Sequence, residues 1–586
     1  MNTQSSTPIQ RAKTETLYDL FKSRVDATPH DAAYVYFNKR TGAWVEMNWV
    51  ETFRLFTHVR NALASEKLQI GDRILLVLPN SVEWVVIEQA AQHLGIVVVA
   101  MATAESAANI NHIIDDTDAS LVFINTDIYR ETIQSHIFLH HPKTRLISLS
   151  EQADNSETTC FTRWIAKNRR FSAQTPQINK HALATIIYTS GTVGTPKGVM
   201  LTHNSLLNNA FACLERVNIT SDDKLLSIIP VSHILERVAG YYAPMIAGAS
   251  VSFSRGTGST LHDLQQTNAS ILVATPHAMN LAFNQLLTKH PFLGKTIKQY
   301  LAYQNGLDEY RVKFIAWPLI RKLLSRTIKK QLLGRLRQIF CGGSALSSDI
   351  ISIARLLNVP LFQGYGSTEA GGIISVNSPN QQQAESVGKT LNNANVFLNE
   401  QHELIIENNS LMLGYWRNKA LSKQTLINGK LHTDDLARID NSYIYLTGRT
   451  SEQLQLSTGK KVSPKPMEDK ICADNLFENV SLYGENREKL TLVCQLCSDN
   501  WDKFIKTNHA TNHLTESRKH ALLSVRINTL LKTLPDHHFI DFIIPTFDSW
   551  NIENGLLSED GKVNKANVEA FYAGELARVY GGEYIR

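Results

Sequence analysis

Ile186-Ile-Tyr-Thr-Ser-Gly-Thr-Val-Gly-Thr-Pro-Lys-Gly-Val-Met-Leu-Thr-His203 is the stretch from which the rest of the chain can be read. Ile186 and Ile187 close a short apolar, β-branched run that begins at Leu183, the pattern of a buried strand. A segment of Gly, Ser and Thr with a single Lys follows. Val199 to Leu201 are apolar again, and Asn204 or Ser205 suits the cap of a following helix. A strand feeding a loop of this kind can cradle phosphate. Gly191 and Gly194 let the backbone approach closely, successive N–H groups form an anion nest, the hydroxyls of Thr189, Ser190 and Thr192 donate further bonds, and Lys197 adds charge. The loop is not a P-loop of the usual kind, which needs Gly-Lys followed by Ser or Thr. Here Pro196 precedes Lys197 and Gly198 follows it.

Outward from this stretch, residues 16–180 alternate helical and strand-like patterns. Thr16 to Val25 and Trp49 to Glu66 have helical spacing. Ile74 to Leu78 reads as a buried strand, Ser81 caps a helix over Val82 to Leu94, and Gly95 ends it. Ile96 to Ala100 and Ser120 to Ile124 are strands with a helix, Ala108 to Asp116, between them. Such alternation predicts an α/β fold with a helix-covered parallel sheet. Ligands bind beyond the carboxyl ends of such strands, where the 189–198 loop would lie.

The loop closely resembles the phosphate loop of the adenylate-forming superfamily, which includes acyl-CoA synthetases, peptide-synthetase adenylation domains and luciferases. Val193 stands where Thr is commoner, and Ala100 to Ala104 lacks the usual Pro and aromatic residue. Further motifs follow in family order, and they look most like a bacterial-type long-chain fatty acid–CoA ligase. Val231-Ser-His-Ile-Leu-Glu-Arg237, after a strand ending at Pro230, resembles the segment facing the carboxylate and later the thiol. A lone His is ordinarily structural; this context makes His233 a site residue. His277 replaces a usual Arg.

Arg337 to Leu346 and Val359 to Glu369 each read as a strand running into a glycine turn. Together they resemble the family's adenine pocket. The resemblance puts Gly343, Ser344 and Ala345 on one purine face and Tyr365 on the other. It puts Gln363 near the exocyclic amine, with Gly364, Gly366, Ser367 and Thr368 completing the loop. Glu369, with Thr189 beside it, is the expected Mg²⁺ site, because Mg²⁺ takes hard oxygen ligands. In His432-Thr-Asp-Asp-Leu-Ala-Arg-Ile-Asp440 the resemblance places Asp435 on the ribose hydroxyls. Asp434 stands where the family has Gly, and Asp tolerates positive φ better than most residues.

Tyr445 to Glu452 resembles the hinge into a C-terminal domain. Arg449 is the expected ribose or phosphate contact, Glu452 takes the acidic hinge position, and Ser451 replaces a usual Lys. Ser457 to Ser463 resembles the loop that meets the thiol in a rotated state. Trp550 to Lys565 resembles the motif bearing the catalytic Lys, here Lys562. The fold so implied is a large N-terminal domain, residues 1–447, of two α/β subdomains plus a small β-rich subdomain at about 385–447. A smaller, mobile α+β domain, residues 448–586, follows on the hinge.

Bulk properties agree. At 586 residues the chain exceeds one core. Charge is balanced, 59 basic against 54 acidic residues, which gives no argument for nucleic acid. The six cysteines are scattered and read as a reducing compartment without a disulfide framework. Cys494 and Cys497 form a CxxC, but on a strand the two point to opposite faces. The start of the chain is polar, without a signal-peptide core, and no apolar run nears the roughly 20 residues that span a bilayer. These features indicate a cytoplasmic protein and leave a peripheral place at the inner membrane face open. From Arg311 to Arg337 there are nine cations and no acid, with apolar residues at helical spacing. This stretch could be a solvated surface face, or could meet anionic lipid, CoA phosphates or an acyl carrier protein; anionic lipid is the expected target.

The expected reaction has two halves. A long-chain fatty acid and ATP give acyl-adenylate and pyrophosphate; CoA thiol then takes the acyl group and AMP leaves. Transfer to an acyl carrier protein is a close alternative, and a weakened nucleotide-binding scaffold is a third, suggested by Asp434, Ser451 and His277. The acyl tunnel is built from apolar residues that cannot be told from core, so chain length is not legible.

Overall fold

The computed structural model describes residues 8–103, 105–125, 130–150, 158–171, 175–189, 196–289, 333–344, 346, 348–508, 515–532, 534, 539–551, 553–558 and 562–581. Ser190, Gly191, Thr192, Gly194 and Ala345 lie outside these residues. So does most of the basic 311–337 stretch, whose expected helix and lipid contact therefore concern residues not described.

The first sheet has eight strands, centred on the opening motif. Leu183–Thr189 lies parallel to Val97–Met101, and the order continues through Arg73–Val77, Leu121–Ile124, Arg145–Ser148 and Thr158–Cys160, all parallel. The inner strands are buried on both faces, which is why they read as continuous Val/Ile/Leu runs. After Thr189 the chain turns back. Lys197–Thr202 pairs antiparallel with Leu183–Thr189, and Thr189 faces Lys197 across the ladder. The two strands thus pair as far as Thr189 and Lys197, at the carboxyl end of the parallel sheet, on either side of the phosphate-loop candidate. The next helix, His203–Arg216, is capped by Thr202, whose hydroxyl accepts from Ser205 N at 3.0 Å. The expected cap at Asn204 or Ser205 falls two or three residues too late, because the strand continues to Thr202 and only there does the backbone leave the extended region.

The second sheet runs Ala43–Asn48, Ala32–Asn38, Ser250–Phe253, Lys224–Ser227, Ile271–Ala274, Gln338–Cys341 and Leu361–Ser367. It is parallel from the second of these strands onward. Leu361–Ser367 then turns antiparallel to Gly372–Val376, and the sheet continues through short strands to Lys430–Asp440 and Tyr443–Arg449. This is the region of alternating short strands expected after residue 385. At Gly366 a Cβ would lie 2.0 Å from Gly372 O, so only glycine lets the two strands approach there.

Helices Leu17–Ala27, Trp49–Ser65, Val82–Leu94 and His203–Arg216 fill the space between the sheets, sharing one apolar core with both. Ser81 caps Val82–Leu94 as its sequence suggests, and Gly95 ends it with φ 73°. Beyond Arg449 come a two-stranded ladder, Leu454–Gln455 with Lys461–Val462, and a three-stranded sheet of Phe477–Tyr483, Thr491–Leu496 and Phe542–Thr546. These have apolar cores of their own around Ile471, Leu492 and Ile527, and around Trp550 and Val568. Cys494 is buried and Cys497 half-buried just past the strand end, both as free thiols. No helix among the described residues is long and apolar enough to cross a membrane.

Arg337 closes the basic stretch but is not part of a solvated face. Its Nε donates to Asp223 Oδ1 at 2.8 Å and its Nη2 to Asp223 Oδ2 at 2.7 Å, a bidentate pair against a nearly buried carboxylate.

Candidate active site

The carboxyl ends of the second sheet and the first hairpin meet at one cleft. Tyr365, from Leu361–Ser367, is buried, and its hydroxyl donates to Asp435 Oδ2 at 2.6 Å. Asp435 stands opposite Arg449 across the antiparallel ladder, and Arg449 Nε donates to Asp435 Oδ1 at 3.0 Å. Burial raises the Asp435 pKa, while Arg449 and the donated bonds pull it partway back. Burial would lower the Arg449 pKa, but the carboxylates of Asp435 and Glu452 outweigh it and leave it raised. Glu452 thereby joins the same constellation. Gly343 sits at the end of Gln338–Cys341 with φ 94°, a conformation that bares backbone N–H groups cheaply only in glycine. Ser344 beside it is exposed. Gln363 is half-buried in the same strand as Tyr365, and its carbonyl accepts from Asn377 N at 2.9 Å.

Glu369 lies on the turn after Leu361–Ser367. Ser367 Oγ accepts from Ala370 N at 3.1 Å, and Thr368 O from Gly371 N at 3.0 Å. Sequence reading missed the partner that aims the carboxylate. Tyr415 hydroxyl donates to Glu369 Oε1 at 2.9 Å, and Lys197 Nζ stands 5.9 Å from the centroid of the Tyr415 ring. Tyr415 therefore joins the acid expected for the metal to the lysine of the phosphate loop. Its position in Leu413 to Arg417 was a signal in plain view, since that string matches the family pattern. Glu369 and the Thr189 hydroxyl are hard oxygen donors, the set Mg²⁺ prefers.

His233 follows Lys224–Ser227 and faces the cleft. Its Nδ1 accepts from Leu235 N at 3.2 Å, which places the proton of the neutral ring on Nε2. The surrounding protein lowers its pKa first and the ammonium of Lys562 next. The ring remains exposed at the cleft, so it is walled rather than sealed. Lys562, some 330 residues away in sequence, is thus near enough for its charge to act on His233. Its backbone is held by Ser558, whose N donates to Lys562 O at 2.8 Å and whose Oγ accepts from Lys562 N at 3.2 Å. Behind His233 the chain forms a π-helix, Glu236–Tyr242, a distortion often found at functional sites. Arg237 is fully buried there, donates to Val231 O at 2.9 Å, lies 3.8 Å from Glu88 and stacks on Trp84 at 4.6 Å.

From exposed His233 and Gly343, past Tyr365, a narrow apolar cavity runs to fully buried Cys213 and to Val217 and Ile219. The loop Ser457 to Lys461 is exposed on the C-terminal side.

Residues 21–416 match the AMP-binding enzyme family, and residues 451–582 match the AMP-binding enzyme C-terminal domain. The chain belongs to the AMP-binding enzyme family. Among its relatives, a long-chain-fatty-acid–CoA ligase, FadD15 of Mycobacterium bovis, is 24% identical over 508 residues, covering 82% of each chain. Long chain acyl-CoA synthetase 3 of Arabidopsis thaliana is 22% identical and covers 96% of this chain and 91% of its own. In structure the chain is similar to the anthranilate–CoA ligase AuaEII in complex with anthranoyl-AMP, at TM-score 0.73, 17% identity and coverage of 96% and 98%. It is also similar to a Mycobacterium tuberculosis fatty acyl CoA synthetase, at TM-score 0.65, 18% identity and coverage of 96% and 99%. The fold is the adenylate-forming one, with a large N-terminal and a smaller C-terminal domain.

Within this AMP-binding enzyme, two departures from the family pattern meet each other. Asp434 has φ 64°, the left-handed region glycine fills cheaply. Its carboxylate accepts from Ser451 N at 3.0 Å and, through Oδ2, from the Ser451 hydroxyl. Thr450 N donates to Asp434 O at 2.8 Å. The segment just after Tyr443–Arg449 is thus tied to Lys430–Asp440 at the two off-pattern positions.

Proposed function

We propose that this AMP-binding enzyme activates a long-chain fatty acid with ATP and transfers it to the thiol of CoA. In the first half reaction a carboxylate oxygen of the acid attacks the α-phosphorus of ATP. The bond to the bridging oxygen breaks, and pyrophosphate leaves. In the second, the thiol sulfur attacks the acyl carbon, loses its proton, and expels AMP. Catalysis here is mostly positioning and charge stabilisation.

The observation that carries the reading is the apolar cavity opening between His233 and Gly343, with the charge of Lys562 felt at His233. A chain of methylenes fits such a lining, and the carboxylate would then lie where Lys562 reaches it. Lys562 bridges carboxylate and phosphate oxygens as charge moves between them. Lys197, Thr189 and the hairpin tip, with Ser190, Gly191, Thr192 and Gly194, hold the pyrophosphate. Gly343, Ser344, Ala345, Gln363 and Tyr365 take adenine; Asp435 and Arg449 take ribose. Glu369, aimed by Tyr415, and Thr189 would hold Mg²⁺, which offsets phosphate charge when bound. The Nε2–H of His233 orients the substrate carboxylate and later faces the thiol route.

Acyl-adenylate hydrolyses readily, so the C-terminal domain closing over the cleft protects it. Rotation about the hinge near Glu452 then carries Lys562 away and brings Ser457 to Ser463 to the site. ATP–pyrophosphate exchange over a panel of carboxylic acids tests the first half. Exchange that rises with fatty chain length supports the reading; exchange only with small aromatic or dicarboxylic acids rejects it. Supplying CoA or an acyl carrier protein to the loaded enzyme then decides the acceptor.

A further inference from the structure

We propose that Asp115, His136 and His141 form a binding site for a divalent transition metal of the Zn²⁺ class. Asp115 lies near the end of helix Ala107–Thr117, which is anchored by buried Ile110, Ile113 and Ile114. His136 lies on helix Arg130–His140, anchored by Ile133 and Ile137, and His141 directly follows it, with its N–H bonded to Ile137 O at 2.8 Å. The ligand atoms therefore ride on two packed helices rather than on a loose loop. Both imidazole Nε2 atoms converge on one oxygen. His136 Nε2 is 2.7 Å and His141 Nε2 2.6 Å from Asp115 Oδ1. The three ligand atoms lie within 4.8 Å of one another. His140 packs against His136 with ring centroids 4.8 Å apart and limits its rotation.

Two nitrogens aimed at one oxygen can share it through protons or through a cation. Zn²⁺ binds His N at about 2.0–2.1 Å and carboxylate O at about 2.0–2.2 Å, so tetrahedral ligand atoms stand roughly 3.3 Å apart. The two contacts need to open by only about 0.6 Å to admit it. The two imidazoles choose the metal. They suit Zn²⁺, Ni²⁺ and Cu²⁺, whereas Mg²⁺ and Ca²⁺ take oxygen sets. Asp115 is half exposed, so water completes the coordination and the metal exchanges with solvent. The neighbouring Asp116, not Asp115, accepts the Tyr188 hydroxyl at the strand leading into the phosphate-loop candidate, so Asp115 is left to the two histidines.

The test is Zn²⁺ titration of the full chain by calorimetry, with the same titration on His136→Ala, His141→Gln and Asp115→Asn. The chain has 20 histidines, so the readout is a difference. Wild type should bind one equivalent of Zn²⁺ that both histidine variants lack, Asp115→Asn should weaken that equivalent at least tenfold, and Mg²⁺ should not compete. Co²⁺ bound to wild type should show the intense visible bands of tetrahedral coordination, lost in His136→Ala. All three side chains reach solvent, and metal-free melting temperature and ATP–pyrophosphate exchange should match wild type, which shows that the variants fold. Equal Zn²⁺ stoichiometry and affinity in wild type and both histidine variants would overturn the proposal, as would displacement of the Zn²⁺ by Mg²⁺.

Discussion

Glu236 is fully buried at the start of the π-helix behind His233. Neither carboxyl oxygen has a well-formed hydrogen bond among the described residues. Burial pushes its pKa from 4.5 up to about 8, with the Ser227 hydroxyl pulling weakly the other way. Gly240 is what makes room for it, since a Cβ there would lie 2.4 Å from the carboxyl carbon. A folded-state value above the unfolded one means the folded chain holds the proton more tightly. The contribution to stability is therefore whole below about pH 4.5 and is lost as pH rises towards 8. At 1.36 kcal/mol per unit, the penalty grows from about 1 kcal/mol at pH 5 to about 3 kcal/mol at pH 7. Glu236→Gln keeps the shape and cannot ionise. Its stability relative to wild type should thus improve by about 2 kcal/mol between pH 5 and pH 7. Urea unfolding at both pH values, followed by intrinsic fluorescence, measures this, because Trp84 stacks on the next residue, Arg237. What matters is the difference between the two pH values, not the absolute effect of a buried amide. Parallel pH curves for variant and wild type would refute the argument and mean that Glu236 is neutralised by a cation or ionised in both states.

Lys562→Ala should lower adenylation by about 10²–10³-fold, the scale for removing one group that stabilises transition-state charge, while thiolysis of supplied acyl-adenylate survives; equal loss in both half reactions, followed by single-turnover assay, would sink the hinge reading. Glu369→Gln should lower ATP–pyrophosphate exchange with partial rescue by raised Mg²⁺, and Tyr415→Phe should raise the Mg²⁺ requirement without abolishing exchange; an unchanged requirement in both would put the metal elsewhere. Cys213→Phe fills the buried end of the cavity, and overpacking of about 1–3 kcal/mol there should lower kcat/KM for long acyl chains by roughly tenfold or more while sparing short ones; equal losses for both lengths would mean the chain does not reach Cys213.

The architecture was legible where local and global signals agreed. Ser81 and Gly95 bracket their helix as written, and the buried parallel strands announce themselves as unbroken apolar runs. The Thr202 cap was misread because Thr202 looks like the end of an apolar run, and its capping role depends on where the returning strand stops. The site was legible as a set of motifs but not as a set of contacts. Nothing in the order of residues says that Tyr415 aims Glu369, or that the charge of Lys562 acts on His233. Those facts depend on how separate elements pack, over separations of 46 residues in the first case. Arg337 shows the converse. Every charged residue from Arg311 to Arg337 is basic, yet the partner of Arg337 is Asp223, 114 residues earlier.

The same distinction bears on whether the off-pattern residues weaken the enzyme. Taken singly, Asp434 in place of Gly and Ser451 in place of Lys each look like a loss. Together they are complementary, since Ser451 supplies a backbone and a hydroxyl donor to the carboxylate that Asp434 brings. A charge-assisted pair of bonds of this kind offsets the cost of a left-handed Asp, which is of order 1–3 kcal/mol at most for a non-glycine residue. Asp434 N is bonded in turn to Glu403 Oε1 at 3.0 Å, so the turn is supported from both sides. The adjacent Asp435 keeps its contacts with Tyr365 and Arg449 undisturbed. The two departures compensate each other and leave the Tyr365–Asp435–Arg449 contacts beside them intact. These two departures therefore give no argument for a weakened site, since each supplies what the other needs.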